Sequence, residues 1–298
     1  MEEITHDDYR RFLEKHPYVT IENTRVRLPK EHIIKRFVPA NFQPETTTVW
    51  SFPDRGDWAT HRGNYRGNWS PYIPRNLVLC YTKPGDLVLD QMVGSGTTLV
   101  ECKLLQRNAI GVDINPDAIM VTRNRLDFLF KPLDERYEEP EIKTFRGDAR
   151  NLNLIEDESI DLIATHPPYA GIIAYSKNRV EGDLSSLNIK EFTEEMKKVA
   201  EECFRVLKPG KHLAILIGDT RKHKHYIPIN VRVFEAFLEA GFIIREDIIK
   251  IQWKMKTTRE RWRGKKYDFL LIAHEHLFVF RKPEKGEKTT KFKYSMKW

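Results

Sequence analysis

The sequence predicts an α/β fold in which a mostly parallel, seven-stranded sheet carries helices on its faces. From Asp86 onward, short apolar runs alternate with amphipathic stretches, the pattern of parallel strands joined by crossover helices. The first of these runs opens directly into a Gly-rich turn, DQMVGSGTT at 90–98, and the next two lead to acids at Asp113 and Asp148. Ligands of open α/β folds bind at such strand ends.

Residues 1–60 lack this alternation and read as an N-terminal appendage with one helix near 7–15. The strands follow at 87–90, 109–113, 142–146, 160–165, 212–217, 243–253 and 270–281. Helices fit between them at 98–105, 116–130, 189–207 and 231–240, and Lys208-Pro209-Gly210 reads as the stop of the third. The catalytic domain is thus expected over 61–283, with a basic, partly disordered tail over 284–298.

The 298 residues are long enough to bury a large core. They contain no apolar run of the roughly 20 residues that a membrane helix requires. The opening, MEEITHDDYRRFLEKH, lacks the basic and then apolar character of a secretory signal, so a cytoplasmic address is expected. Cys80, Cys102 and Cys203 lie far apart, which suggests buried, reduced thiols and neither a disulfide framework nor a zinc site. A formal charge of +7 suits a polyanionic partner, although a solvated lysine surface would give the same figure.

Glycines at 94 and 96 allow a tight turn and close approach of backbone to ligand. A plain turn, a dinucleotide site and an S-adenosylmethionine (SAM) site would all share this loop. Asp113 lies about 20 residues beyond it, where a carboxylate accepts from ribose hydroxyls. Asp148, in Gly147-Asp148-Ala149, is placed to accept from an adenine amino group.

GSGTT after Asp90, then GVDIN, GDA and HPPY, in this order, resemble the DNA amino-methyltransferases that act on cytosine N4 or adenine N6, over about residues 62–282. The resemblance implies a Rossmann-like class I SAM-dependent methyltransferase fold with SAM as cofactor. It implies a SAM site of Asp90, Gln91, Gly94, Ser95, Gly96, Thr97, Thr98, Asp113, Ile114, Asp148 and Ala149. Asn68 and Ser70, from YRGNWSPYIP upstream of the loop, join it by the same resemblance. Gln91-Met92-Val93 departs from the Pro-Phe and small residue usual in the family.

His166-Pro167-Pro168-Tyr169 follows the fourth strand at the carboxyl edge of the sheet. Two prolines remove two N–H donors and fix the backbone, leaving a rigid site that presents carbonyls and side chains. A base amino group is a weak nucleophile because its lone pair is delocalised into the ring. Acceptors that hold both amino hydrogens let the nitrogen turn tetrahedral and attack a methyl group in line. The catalytic candidates are therefore His166 as amino acceptor or proton relay, Pro167 as acceptor carbonyl, Pro168 as rigid support and Tyr169 as stacking platform. The family usually carries Ser, Asp or Asn where this chain has His166, so the target base stays open, with cytosine N4 preferred from the IDLIATHPPYAG context.

His274-Glu275-His276 lies in a strand pattern and lacks helical His-x-x-x-His spacing, so no metal is expected. The segment 253–266 interleaves seven Lys or Arg with Trp253 and Trp262, a composition suited to phosphate contact and stacking or to a solvated charge run. Arg62, Tyr65, Arg66 and Trp69 form a second such cluster, and Asp219 and Arg221 lie after the fifth strand. The strands and helices leave little chain for a duplex-reading domain, which favours structured RNA, such as ribosomal RNA, over DNA as partner. Three other readings remain open. A dinucleotide oxidoreductase explains the glycines but gives HPPY no role. A nucleic-acid-binding protein with an inactive fold would not bind SAM. A protein glutamine methyltransferase would use a similar tetrad.

Overall fold

A computed structural model describes residues 1–132, 137–168, 180–254 and 268–298 of the chain. The strands are β1 (Glu2–Glu3), β2 (Tyr18–Ile21), β3 (Thr24–Arg27), β4 (Val49–Ser51), β5 (Leu87–Asp90), β6 (Asn108–Asp113), β7 (Ile142–Arg146), β8 (Ile160–Thr165), β9 (Leu207–Ile217), β10 (Thr220–Lys222), β11 (His225–Ile227), β12 (Ile243–Ile251) and β13 (His274–Arg281). The helices are α1 (His6–Lys15), α2 (Tyr72–Tyr81), α3 (Thr97–Leu104), α4 (Pro116–Leu126), α5 (Ile189–Val206) and α6 (Ile229–Glu239), with 3-10 turns at Leu184–Ser186 and Thr289–Ser295.

Nine of the described strands form one sheet in the order β1-β7-β6-β5-β8-β9-β13-β12-β4. From β7 to β9 the pairing is parallel, and β13 runs antiparallel between β9 and β12. This is the expected seven-strand frame with one strand added at each edge. Both additions come from the first 60 residues: β1 pairs with β7, and β4 pairs with β12. The order reverses between β5 and β8, which opens a crevice at their carboxyl ends.

β8 is buried along all six residues, as a central strand covered on both faces must be. On one face, α5 presents Phe192, Met196, Val199, Ala200, Cys203 and Val206 at helical spacing, and α6 packs beside it. A capping box at Asn188 and Glu191 fixes the start of α5, worth about 1 kcal/mol. The other face is covered by α2 and α3 with Trp50, Trp58 and Trp69. Helix α1 and the β2–β3 hairpin form a third cluster against α4. No helix among the described residues is long and apolar enough to cross a membrane.

Several expectations change. Helix α5 stops at Val206, and Lys208-Pro209-Gly210 lies inside β9 as an irregularity in its pairing with β8. There Gly210 donates its N–H to the Lys282 carbonyl at 3.0 Å. Helix α4 ends at Leu126, short of the expected 130. Cys80 is exposed on the outer side of α2, whereas Cys102 and Cys203 are buried as free thiols. The C-terminal segment carries a 3-10 turn, with ion pairs from Lys285 to Glu158 at 2.6 Å and from Lys297 to Glu239 at 2.5 Å.

Candidate active site

At the carboxyl ends of β5, β6, β7 and β8 lies a cleft, at the switch point where open α/β sheets bind ligands. Its floor is the turn between β5 and α3. Gly96 caps α3 in the left-handed conformation, φ 77°, and a Cβ there would lie 2.9 Å from Thr122 Cγ2. The Gly94 amide donates to Asp113 Oδ2 at 2.9 Å, and the Asn115 amide donates to Oδ1 at the same distance. The two amides hold the Asp113 carboxylate at the cleft wall with its other lone pairs available to hydroxyl donors.

Asp90 sits beneath the turn, 3% exposed. Its carboxylate accepts from the Thr98 hydroxyl at 2.5 Å, the Thr165 hydroxyl at 3.1 Å and the Met92 amide at 3.3 Å. Burial outweighs these bonds and pushes its pKa up to about 7; burial likewise raises Asp113 to about 6. A cation in the cleft would reverse both shifts.

Ten of the thirteen expected cofactor residues line the cleft: Asn68, Asp90, Gln91, Gly94, Ser95, Thr97, Asp113, Ile114, Asp148 and Ala149. The other three lie behind it. Ser70 donates to the Arg55 carbonyl at 2.9 Å, Thr98 supports Asp90, and Gly96 packs on Thr122. Asp148 is gripped through both oxygens by Arg150, at 2.6 to 3.0 Å, and Arg150 also reaches Glu195 and the Gly182 carbonyl. Asp148 therefore keeps only part of its acceptor capacity for a ligand.

His166 and Pro168 line the cleft, Pro167 is buried behind them, and Tyr169 lies outside the described residues. The His166 ring stacks on Trp69 with centroids 5.9 Å apart at 23°. Burial lowers its pKa to about 4; nearby Lys250 and Arg55 act in the same sense, whereas Glu275 and a hydrogen bond to the Gly67 carbonyl oppose them. The imidazole is therefore neutral at physiological pH. That favours an acceptor role over proton pickup near 6.5.

Tyr65 and Trp69, read from sequence as phosphate-contact residues, are each 5% exposed and line the cleft instead. Arg66 pairs with Glu22 at 2.6 Å. The chain from 67 to 69 is held from behind by Arg55, which donates to the Asn68 carbonyl at 2.9 Å and the Trp69 carbonyl at 2.5 Å. Deeper still, fully buried Glu101 of α3 accepts from Trp58 at 2.6 Å, His61 at 2.7 Å and Arg75 at 2.8 Å. This network ties residues 58–75 to the helix that begins at the Gly-rich turn.

Sequence reasoning missed Gly182, Asp183 and Leu184, which also line the cleft, as well as Arg55 and Arg150. His274-Glu275-His276 lies on β13, where Glu275 pairs with Lys250 at 2.7 Å and His276 with Asp247 at 2.9 Å. Among the described residues no group of His, Cys, Asp and Glu could hold a metal ion. Of the basic segment 253–266, only Trp253 and Lys254 are described, bonded to Ser51 at 3.0 Å and Asp54 at 3.1 Å. Asp219 accepts from the Asn230 amide at 2.8 Å and from Tyr226.

The residues present fit SAM. The cleft offers carboxylates for its cationic amino acid part and ribose hydroxyls, and the turn leaves room where side chains would intrude. The Thr97 hydroxyl and Gln91 Oε1, both buried at this wall, have no hydrogen-bond partner among the described residues, so a polar ligand has groups to satisfy. Fold and cleft together define a SAM-binding, class I methyltransferase architecture. The model of the DNA methylase family matches residues 5–124 and 160–297, and the chain belongs to that family.

Over 130 residues the chain is 33% identical to the type II methyltransferase M.HpaI of Haemophilus parainfluenzae, covering 43% of this chain and 40% of that protein. Over 179 residues it is 30% identical to the tRNA (guanine(10)-N2)-dimethyltransferase of Methanocaldococcus jannaschii, covering 55% of this chain and 48% of that protein. The chain thus spans less than half the length of either curated relative. Among solved structures, a SAM-dependent methyltransferase from Methanosarcina mazei aligns with a TM-score of 0.47 and 17% identity, over 70% of this chain and 97% of that one.

Proposed function

We propose that this chain transfers a methyl group from SAM to the exocyclic N4 amino group of cytosine in nucleic acid, with structured RNA such as ribosomal RNA as the favoured substrate. The observation that carries the reading is the meeting of His166 and Pro168 with the SAM cleft at one strand edge. SAM, when bound, supplies an electrophilic methyl carbon. The chain supplies position and acceptors.

Because the neutral His166 ring bonds to the Gly67 carbonyl, one ring nitrogen is the donor and the other has the lone pair of an acceptor, which in this account takes a substrate amino hydrogen. Pro167 contributes its carbonyl to the second hydrogen, and the diproline backbone cannot turn an N–H toward the base. Trp69 holds the imidazole plane, so the acceptors are in place before the base arrives. Tyr169 stacks on the extruded base in this account.

Support for RNA comes from the likeness to a tRNA dimethyltransferase. Type II methyltransferases among the relatives support a second reading, a site-specific DNA methyltransferase acting on cytosine N4 or adenine N6. Transfer from labelled SAM to ribosomal RNA, tRNA and genomic DNA separates the two. Label in RNA supports the first reading, and label in DNA alone overturns it.

A further inference from the structure

The short hairpin β10–β11 hangs from the carboxyl end of β9, which pairs with β8 through Thr165↔Ile215 beside His166. It therefore stands on the same edge of the sheet as His166 and the cleft. Its sequence, TRKHKHYI, is basic, and residues 222–226 are exposed. Among the described residues, acidic neighbours neutralise little of this charge: Lys224 meets the exposed Asp268 at 3.1 Å, while Asp219 is occupied by Tyr226 and the Asn230 amide.

The turn itself is the second observation. Lys222 pairs with His225, so His223 and Lys224 are the two central residues, and both have positive φ, 51° and 70°. Such a two-residue turn favours Asn-Gly, because side chains with a Cβ are strained there. The chain instead places two basic side chains at the tip, and it braces the tip through Arg221, which donates to the Lys224 carbonyl at 3.0 Å and the Leu270 carbonyl at 3.0 Å. Strain of this kind persists where the side chains serve a purpose that a relaxed turn would not.

We infer that the β10–β11 hairpin is a clamp on the phosphate backbone of the nucleic acid, set beside the cleft to hold the strand from which the target base is presented. The inference rests on the nucleic-acid reading above. Lys222, His223 and Lys224 contact phosphates, and the contact is independent of base sequence.

The test uses the full chain with His223→Asn and Lys224→Gly combined, and separately with Lys222→Ala. Binding to a mixed-sequence single-stranded RNA oligonucleotide, and to its DNA counterpart, is measured as a function of salt, alongside SAM affinity and melting temperature. The double variant is expected to melt no lower than the parent, since it relaxes the turn, and to bind SAM unchanged. Yet both variants should bind nucleic acid several-fold more weakly, with the slope of log K against log salt reduced by about 0.7 per lysine removed, as for single strands. Parental affinity and slope in both variants would overturn the clamp while leaving the methyltransferase reading intact. Failure of the parental chain to bind either oligonucleotide would overturn the nucleic-acid reading and the clamp with it.

Discussion

Replacing Asp90 with Asn should make the ligand-free protein more stable at neutral pH while weakening SAM binding. The folded-state pKa of Asp90 is raised from 3.8 to about 7, chiefly by burial. A raised carboxyl pKa means that the unfolded chain ionises first. The contribution of the protonated carboxyl is then fully present below about pH 4 and is lost as pH rises through about 7. Each pH unit across that window removes about 1.4 kcal/mol, so between pH 5 and pH 8 the parent should lose about 3 kcal/mol from this group. The amide introduced by Asp90→Asn does not titrate. Its carbonyl can accept from Thr165 and Met92, and its NH2 group can donate to Thr98 once that hydroxyl turns. The melting temperature of the variant, measured by differential scanning fluorimetry without SAM, should therefore gain on the parent by about 5 to 10 °C between pH 5 and pH 8. Calorimetry at pH 8 should show weaker SAM binding by the variant, because one of the carboxylates that line the cleft is gone. A melting difference that does not change with pH would show that Asp90 is not held protonated by burial.

His166→Ala and Tyr169→Ala should each abolish methyl transfer while SAM still binds, as read by single-turnover transfer and calorimetry; full activity in either would show that the wrong residues have been assigned. At saturating SAM, kcat of the parent should show no protonation step near pH 6.5, since burial holds His166 near 4. Glu101→Gln should cost about 3 to 5 kcal/mol in urea unfolding, because it leaves the buried Arg75 guanidinium without its counter-charge. Gly96→Ala should weaken both stability and SAM affinity, by about 1 to 3 kcal/mol, through the positive φ and the contact with Thr122.

The central strands were legible because buried parallel strands are short, apolar and bounded by turn residues; β7 and β8 have the bounds their sequences indicate. Helix α2 was not. Pro71 and Pro74 argue against a helix, yet both fall in or before the first turn, where an N–H has no intrahelical partner to lose. Strands β1 and β4 have two and three residues and exist by pairing with the sheet edge, so no local period announces them. The Gly-rich turn, Asp113 and the diproline turn carry their geometry in their own sequence. By contrast, Asp183 and Leu184 reach the cleft through tertiary placement alone, and Arg55 acts on the carbonyls of 68 and 69 from a distant loop. Tyr65 and Trp69 show the converse error. Aromatic residues among arginines suggest a phosphate surface, but their bodies are apolar enough to be drawn into the core.

Methylation of an exocyclic amino group held by the His166-Pro167 acceptors can be read by mass spectrometry of nucleosides from ribosomal RNA incubated with SAM and the parental chain. N4-methylated cytidine should form with the parental chain and be absent with the His166→Ala variant. Methyl groups on a ring carbon, a ring nitrogen or a ribose hydroxyl, formed equally by that variant, would rule out those acceptors.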